Sequence, residues 1–407
     1  MKLLLIHQNF PGQFLHLAHG LLKDSRCQLL AIARDTARGV QGVRTLRYSP
    51  SRAVSPQIHH YLYTVEDAVL HGQQVARLLL QLRGTGYRPD VILAHPGWGE
   101  TLYAKDVYPD VPLMHFCEYY GAMEGSDINF DPEFPSSFDE CARSRTRNAL
   151  HLLNLEHCDL GISPTPWQRG LHPLAYREKI QVAHEGIPLD MLRPDPRGSL
   201  RLPSGQVLRA GDPVVTYVAR NLEPYRGFHN FMRALPQILD RHPRAQVLIL
   251  GGDEVSYGMP PQGAPNWRTR MLEEVRLDRS RVHFLGKVPY ATYVKALQVS
   301  CAHVYLTYPF VLSWSMLEAM ACGCLLVASD TAPVREVVRD RENGYLVDFF
   351  AVDDLAERVL EVLHNPSAHA GLCQMARLTA QRFDTRSGVS AYRRLLEMAM
   401  DPARAQG

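Results

Sequence analysis

Long apolar runs are missing from this 407-residue sequence. No stretch approaches the roughly 20 apolar residues that a helix needs to cross a bilayer. Near the start of the chain, only the short run Leu3–Ile6 precedes His7, which is too little for a signal sequence. We therefore expect a soluble, cytoplasmic protein, and peripheral contact with the inner face of the cell membrane stays open.

A pattern for disulfides or for a metal site is also missing. The eight cysteines are scattered, only Cys322 and Cys324 lie close together, and no second pair or histidine group completes a zinc pattern. No Asp-x-Asp motif of the kind that holds a metal–nucleotide complex occurs either. We interpret the cysteines as reduced, mostly buried thiols, and we predict neither a bound metal nor a cofactor.

An excess of one charge is the third absence. Lys and Arg total 44 against 42 Asp and Glu, which gives a formal net charge of +2. A surface that follows a nucleic-acid backbone needs a clear basic excess, so nucleic acid is not expected as a partner. The run Arg143, Arg145 and Arg147 is compatible with contact to anionic lipid, although a solvated helix face is the more ordinary interpretation.

Strand-like and helix-like segments alternate along the chain, which is typical of parallel α/β sheets. A chain of this length exceeds one hydrophobic core, so two doubly wound, Rossmann-like domains fit best. The predicted strands are 2–6, 28–33, 90–94, 112–116, 160–163, 214–219, 247–251, 282–285, 301–306 and 325–328. The predicted helices are 14–22, 228–239, 316–321 and 386–400.

Proline and glycine punctuation divides the chain. The segment from Leu192 to Gly205 is the best linker. We place an N-terminal domain at 1–195, a C-terminal domain at 205–385, and a last segment at 386–407 that packs back on the N-terminal domain. Residues 119–140 are rich in acids and aromatics, and we predict that they form an ordered, functional loop.

The most informative stretch is Tyr305–Gly323, in which a strand ends and a helix begins near Ser313, Trp314 and Ser315. A helix N-terminus presents unpaired N–H groups and a positive dipole, so it suits a phosphate group. Glu318 follows, and we predict that it lies in the first turn. Because the dipole alone favours an acid there, a ligand-binding acid and a plain helix-start acid stay equally open.

The segment Leu317–Cys324 resembles the hallmark of the retaining glycosyltransferases of family 4, also called group 1, which have the GT-B fold. That fold has two Rossmann-like domains that face each other across a cleft. The resemblance implies that Glu318 contacts the donor sugar or its ribose and that the helix start holds the diphosphate. The family carries a second Glu at the position of Phe310, so one of its usual acids is absent here.

Val218–Gly227 is similar to the family segment whose two cations clamp the diphosphate. Arg220 matches the arginine of that segment, and Arg226 stands where the family has lysine. An arginine keeps the charge but binds phosphate through a planar fork. Because both arginines follow a predicted strand, we favour the clamp over a solvated surface pair.

Two loops complete the resemblance. Gln8–Phe14 looks like the family's glycine loop, in which Gly12 lets the backbone approach the donor phosphate. Phe284–Pro289 resembles the loop whose backbone cradles the nucleobase, which makes Lys287 and Val288 donor-binding candidates.

The resemblance also implies that the acceptor docks on the N-terminal domain. His115 ends a predicted strand and matches a polar position near the reacting face of the sugar. His95, Glu118 and Tyr119 also lie at or near strand ends and are acceptor-side candidates. For the two histidines and Glu118, a plain polar rim remains the alternative interpretation.

Together these matches imply retaining transfer of a sugar, without a metal, from a nucleotide-diphosphate sugar to a carbohydrate or lipid-linked acceptor in glycan or polysaccharide synthesis. Two alternatives remain open: another nucleotide-sugar enzyme, such as an epimerase or hydrolase, and a non-catalytic nucleotide-sugar-binding protein, which Phe310 favours. A dinucleotide-dependent dehydrogenase is disfavoured, because no Gly-x-Gly-x-x-Gly motif follows the first strand.

Overall fold

The computed structural model describes residues 1–401. The chain divides into two compact units. The first unit consists of residues 1–186 together with the chain from Thr385 onward, and the second consists of Ile187–Asp384. Each unit has its own parallel sheet flanked by helices, which confirms the predicted α/β class with two Rossmann-like domains.

The first unit is built on a seven-stranded parallel sheet. Its strands are β1 (Lys2–Ile6), β2 (Gln28–Arg34), β3 (Arg44–Tyr48), β4 (Val91–Ala94), β5 (Leu113–Phe116), β6 (Leu160–Ser163) and β7 (Ile180–Val182). They lie in the order β3-β2-β1-β4-β5-β6-β7. Strands β1 to β3 extend the sheet in one direction and strands β4 to β7 extend it in the other, so a topological switch point lies between β1 and β4. Such a switch point opens a crevice at the carboxyl ends of the strands.

Helices cover both faces of this sheet. They are α1 (Leu15–Leu21), α2 (Tyr63–Gly84), α3 (Ala104–Val107), α4 (Phe138–His157), α5 (Pro166–Leu171), α6 (Leu174–Arg177) and, from the end of the chain, α14 (Thr385–Met400). Tyr392 and Leu396 of α14 are buried in the same apolar cluster as β1 and α1. Residues 402–407 of the predicted C-terminal segment lie outside the described residues.

The second unit contains a six-stranded parallel sheet and a small hairpin. Its strands are β8 (Ser199–Arg201), β9 (Val207–Arg209), β10 (Val214–Asn221), β11 (Gln246–Gly252), β12 (Val282–Gly286), β13 (Ala302–Tyr305), β14 (Leu325–Ser329) and β15 (Tyr345–Val347). The large sheet has the order β12-β11-β10-β13-β14-β15. It repeats the arrangement of the first unit, with its switch point between β10 and β13.

The helices of the second unit are α7 (Phe228–Arg241), α8 (Trp267–Glu274), α9 (Tyr290–Gln298), α10 (Trp314–Cys322), α11 (Ala332–Arg335), α12 (Val352–His364) and α13 (Ala370–Gln381). Ile187, Leu192 and Leu200 are buried in the core of this unit. The segment that the sequence predicts to be a linker therefore folds with the second unit, and the boundary between the units falls at Gly186 rather than near 195–205.

The predicted strands all occur, with ends that differ by at most two residues. Five strands were missed: β3, β7 and β15, each of which lies at an edge of its sheet, and the hairpin strands β8 and β9. Only Tyr48 of β3 is buried, so this strand lacks the continuous apolar run of a central strand. The segment after β5 is irregular up to Ser137, where a capping box starts α4.

Membrane crossing has no structural support within residues 1–401, because no helix there is both long and apolar enough to span a bilayer.

Candidate functional sites

Three polar side chains gather at the switch point of the first unit. His7 follows β1, His95 follows β4, and Glu118 lies two residues after β5. These three strands are neighbours in the sheet, so their carboxyl ends meet at one edge. Both histidines are at least 95% buried, whereas the Glu118 side chain is 29% exposed.

Hydrogen bonds join these groups into one chain through Gln13. His7 Nε2 lies 2.7 Å from Gln13 Oε1, and Gln13 Nε2 donates to Glu118 Oε1 at 2.6 Å. His95 Nε2 lies 3.2 Å from Glu118 Oε2. The backbone N–H of Asn9 donates to His7 Nδ1, and that of Gly97 donates to His95 Nδ1. Because Nδ1 accepts a hydrogen bond in both rings, Nε2 carries the ring proton in each, and Glu118 accepts from two oriented donors.

The charges in this group are set by burial and by these hydrogen bonds. Burial, with His95 nearby, lowers the pKa of His7 to about 3, so His7 is neutral at physiological pH. Burial would raise the pKa of Glu118, but the contacts with His95 and Gln13 outweigh it and hold that pKa below its ordinary value. The site therefore presents one carboxylate whose two fixed donors leave further lone pairs for a hydroxyl ligand.

Gly12 closes over this group. Its φ is +46°, and a Cβ at this position would lie 2.3 Å from His7 Nε2. The glycine is therefore required by both its backbone conformation and its contact with the His7 ring. The close approach seen at Gly12 is to the His7 ring, and its approach to a donor phosphate stays a prediction.

His115 does not join this group. Side chains alternate along β5, so His115 faces the side opposite to Phe116, and Phe116 is the residue that contacts His95. His115 is 1% exposed, and burial lowers its pKa to about 3. The sequence expectation that His115 faces the ligand crevice is thus not met. Tyr119, the next residue after Glu118, donates to Asp127 in the following loop.

Arg226 is the central cation of the second unit. It lies in a short 3-10 turn, Pro224–Arg226, after β10, and it is 6% exposed. Its Nη1 donates to Thr307 Oγ1 at 2.8 Å and to Tyr305 OH at 3.3 Å. Burial would lower its pKa, but the neighbouring tyrosines Tyr305 and Tyr257 hold the pKa above its ordinary value. Within residues 1–401, no carboxylate forms an ion pair with this buried guanidinium.

Aromatic rings enclose Arg226. Its guanidinium carbon lies 5.5 Å from the centre of the Tyr257 ring and 5.6 Å from that of Phe310. Phe310 also packs edge-on against Tyr225, at 5.5 Å between centroids. The residue that replaces the expected acid is therefore part of a cation–π enclosure. Arg220, the other predicted clamp residue, lies exposed near the end of β10.

Glu223 shapes the loop beside this enclosure, a role that the sequence did not suggest. The Glu223 side chain is fully buried and accepts backbone N–H groups from Ser256, Tyr257 and Gly258 at 2.9–3.3 Å. It thereby fixes Tyr257 next to Arg226. Lys287, by contrast, is exposed and pairs with Glu254 at 2.7 Å, and Val288 follows it half-buried.

The predicted helix start is present at α10. Ser313 is the N-cap, and its side chain accepts the Ser315 N–H. The backbone N–H of Ser313 donates to Tyr305 OH at 2.9 Å, and the same hydroxyl accepts from Arg226. The helix start, which includes the half-buried Trp314, is therefore linked to the buried cation through one tyrosine.

Glu318 does not lie in the first turn of α10, because the helix begins at Trp314. Its carboxylate is 6% exposed and accepts from Tyr290 OH at 2.8 Å and from Tyr293 OH at 2.6 Å. The interpretation of Glu318 as a plain helix-start acid is therefore wrong. A buried carboxylate requires hydrogen-bond donors, and the two tyrosine hydroxyls supply them.

Both units match families of known proteins. Residues 25–192 match the family described as "Glycosyl transferase family 4 group", and residues 203–379 match "Glycosyl transferases group 1". The two matches cover the two units in order. The chain is a group 1 glycosyltransferase family member.

Individual relatives in this family are distant. A phosphatidyl-myo-inositol mannosyltransferase of Mycolicibacterium smegmatis is 30% identical over 175 residues, which are 42% of this chain and 41% of that protein. A D-inositol 3-phosphate glycosyltransferase of the same organism is 28% identical over 232 residues, 57% of this chain and 50% of that protein. The matches thus span half or less of these relatives' length.

Solved structures of glycosyltransferases match the fold over nearly the whole chain. Sucrose-phosphate synthase of Thermosynechococcus elongatus has a TM-score of 0.72 at 18% identity and covers 98% of both chains. Anabaena HepE, solved with UDP-glucose, has a TM-score of 0.69 at 17% identity and covers 98% of this chain and 99% of that one. The GT-B fold class predicted from the sequence is therefore confirmed.

Sequence reasoning missed several residues of these two sites in the group 1 chain. Gln13 was assigned to the glycine loop without a role of its own, and His7 was noted only as the residue that follows the first apolar run. The available signal was their position directly after the first strand, where ligands bind in doubly wound sheets. No sequence signal pointed to Tyr290 and Tyr293, because their contact with Glu318 joins two helices of the folded unit.

Proposed function

We propose that this group 1 family member transfers a sugar from a nucleotide-diphosphate sugar to a hydroxyl acceptor, with retention at the anomeric carbon and without a metal ion. The observation that carries the proposal is Arg226, a buried guanidinium held by two hydroxyls and two aromatic rings. Because burying an unpaired charge is costly, the arrangement favours an anionic ligand.

The proposed phosphate site combines Arg226 with the start of α10. A capped helix N-terminus adds partial positive charge and N–H donors, and Arg220 supplies a second, exposed cation. As the bond between the anomeric carbon and the phosphate oxygen breaks, negative charge develops on the diphosphate. Preorganised donors stabilise such charge strongly. Lys287, Val288 and Glu318 are the proposed contacts to the nucleoside and the sugar.

The proposed acceptor site is the Glu118 group of the first unit, with His95 and Tyr119 as its further candidates, and Gly12 is kept as a proposed contact of the donor phosphate. A carboxylate fixed by Gln13 and His95 can accept a hydrogen bond from an acceptor hydroxyl. The new bond forms between that hydroxyl oxygen and the anomeric carbon, and the proton passes to the departing phosphate oxygen. Relatives that are named for inositol compounds support a hydroxyl-rich acceptor.

Nucleotide binding is the first test. We would measure thermal shifts of the purified protein with UDP, GDP and ADP and their sugar conjugates, in the presence of EDTA. A ligand at about 100 times its Kd adds roughly 2.7 kcal/mol of stability. Because the structurally similar HepE was solved with UDP-glucose, that compound is the first donor to try. If no nucleotide stabilises the protein, the phosphate site is wrong.

Phe310 supports a second candidate, a protein that binds a nucleotide sugar without transferring it. The family's acid is replaced there by a ring that packs on Tyr225 and Tyr257. Incubation with the donor found by thermal shift and a panel of glycan and polyol acceptors separates the candidates. A glycoside product identifies a transferase, free sugar or an epimerised donor identifies another nucleotide-sugar enzyme, and an unchanged donor identifies the binding protein.

Location at a membrane remains a prediction. Arg143, Arg145 and Arg147 are all exposed on α4. Cosedimentation with vesicles that contain anionic lipid, compared with neutral vesicles, would test whether this face contacts a membrane.

A further inference from the structure

Two tyrosines of α9 hold the carboxylate of Glu318 from both sides. Tyr290 donates to Oε1 and Tyr293 donates to Oε2, so each carboxylate oxygen has one tyrosine partner. The two tyrosines are three residues apart and therefore lie on one face of the helix. Tyr293 is buried at 8% exposure, whereas Tyr290 is 40% exposed.

We propose that Tyr290 and Tyr293 are positioning residues that hold Glu318 ionised and oriented toward two neighbouring hydroxyls of the bound nucleotide sugar. This inference rests on the proposed function, because it assigns a ligand to the same site. It adds two residues of α9 to a site that the sequence assigned to the α10 region, the arginines and two loops.

The hydrogen-bonding capacity of a carboxylate supports the choice of a diol. An ionised carboxylate accepts about four hydrogen bonds, and the tyrosines use one on each oxygen. One acceptor position on each oxygen then remains, which suits two adjacent hydroxyls such as those of a ribose or a hexose. Glu318 is on the helix whose first residues connect to Arg226 through Tyr305, so a ligand held by its phosphates at that cation would lie near this helix.

Burial works against the charge that this role requires. Burial raises the pKa of Glu318, and the hydrogen bonds from Tyr293 and Tyr290 lower it in part. Within residues 1–401, the remaining titratable group that interacts with Glu318 is Cys322 on α10, whose pKa is raised to about 12 by burial and by Glu318. Cys322 is therefore a neutral thiol at physiological pH. The two tyrosine hydroxyls remain as the groups that favour an ionised Glu318.

The test uses the variants Tyr293→Phe and Tyr290→Phe, with Tyr63→Phe as the matched control, because Tyr63 is an exposed tyrosine on α2 of the other unit. In ligand-free protein labelled with 13C at the glutamate carboxyl groups, the Glu318 signal is assigned by its loss in Glu318→Gln. We expect Glu318 to titrate at higher pH in both site variants than in the wild type, and at the wild-type pH in the control.

The second measurement is affinity for UDP, GDP and ADP at pH 6 and pH 8.5. Because loss of one tyrosine leaves more of Glu318 protonated at low pH, we expect Tyr293→Phe to bind about tenfold more weakly than the wild type at pH 6. The difference should shrink as the pH rises, because Glu318 becomes more fully ionised in both proteins. A purely structural effect would weaken binding equally at the two pH values.

The outcomes separate the inference from the proposed function. An unchanged Glu318 titration in both variants, or an equal loss of affinity at both pH values, would overturn the positioning role even if the wild type binds nucleotide well. A raised titration midpoint in the variants, with no nucleotide bound by the wild type, would support the tyrosines' effect on Glu318 and overturn the proposed function.

Discussion

Replacement of Arg226 by methionine tests the proposed phosphate site most directly. The side chain is 6% exposed, and its hydrogen bonds go to Thr307 and Tyr305. Both of these hydrogen bonds use Nη1. The other donors of the planar guanidinium fork can therefore make two charge-assisted hydrogen bonds to phosphate oxygens. Each such bond contributes about 1.5–3 kcal/mol. We expect Arg226→Met to lose about 3 kcal/mol of nucleoside diphosphate binding, which is more than a hundredfold in Kd.

The ligand-free protein should respond differently. Methionine loses the two hydroxyl contacts and the aromatic enclosure, but it also removes a buried charge that has no acid partner. Because replacement of buried charges by apolar groups is often close to neutral, we expect the free energy of unfolding to change by no more than about 2 kcal/mol. The proposed function therefore predicts a large loss of ligand affinity together with a small change in the stability of the fold.

The assay is isothermal titration calorimetry with the nucleoside diphosphate that stabilises the wild type most, together with urea unfolding of the free proteins. Arg268→Met is the control, because Arg268 also lies over an aromatic ring, Phe284, at 4.2 Å in the same unit. Wild-type affinity in Arg226→Met, or an equal loss in Arg268→Met, would refute the reasoning.

Three further predictions concern the first unit. Glu118→Gln leaves one of the donors Gln13 and His95 without an acceptor. We therefore expect kcat/KM for transfer to fall more than tenfold while nucleotide affinity is unchanged. The control is Glu156→Gln, at an exposed position of α4, and an equal effect of that variant would contradict the role of Glu118. Gly12→Ala should cost about 1–3 kcal/mol of unfolding free energy, because the Cβ meets His7 and φ is positive, whereas Gly84→Ala, with open space around it, should not destabilise α2. Burial raises the pKa of Glu100 from 4.5 to about 7; the folded state then binds its proton more tightly than the unfolded state, so this contribution is present below pH 4.5 and is lost as pH rises through 7. Urea unfolding of Glu100→Gln should therefore show a gain relative to the wild type of up to about 3 kcal/mol between pH 4.5 and pH 8, and parallel pH profiles would disprove it.

The sequence predicted the central strands well, because parallel strands that are buried on both faces consist of continuous apolar runs. Leu3–Ile6 and Leu325–Ala328 are examples, and both are fully or almost fully buried. The edge strand β3 and the hairpin β8–β9 escaped, because their exposed faces carry arginines such as Arg44, Arg47 and Arg209. The linker prediction failed for a related reason: proline and glycine mark turns equally well inside a domain and between domains.

The sites were predicted in part. Strand ends and a helix start are visible in the pattern, so Arg226, Glu118, His95 and Ser313 were named correctly as polar groups at those ends. Side-chain direction was not visible in the same way. Because side chains alternate along β5, His115 points to one face of the sheet and its neighbour Phe116 points to the other.

What the sequence by itself determined is the α/β architecture with two parallel sheets, together with the family, because apolar periodicity and a few local motifs carry that information along the chain. What only the tertiary structure decided is which side chains meet. One hydrogen bond joins Gln13 to Glu118 across 105 residues of sequence, and another joins His95 to Glu118 across 23. The enclosure of Arg226 joins Tyr257 to Phe310. Hydrogen bonds and ring contacts between distant segments depend on sheet order and helix packing, and no local pattern in the chain specifies them.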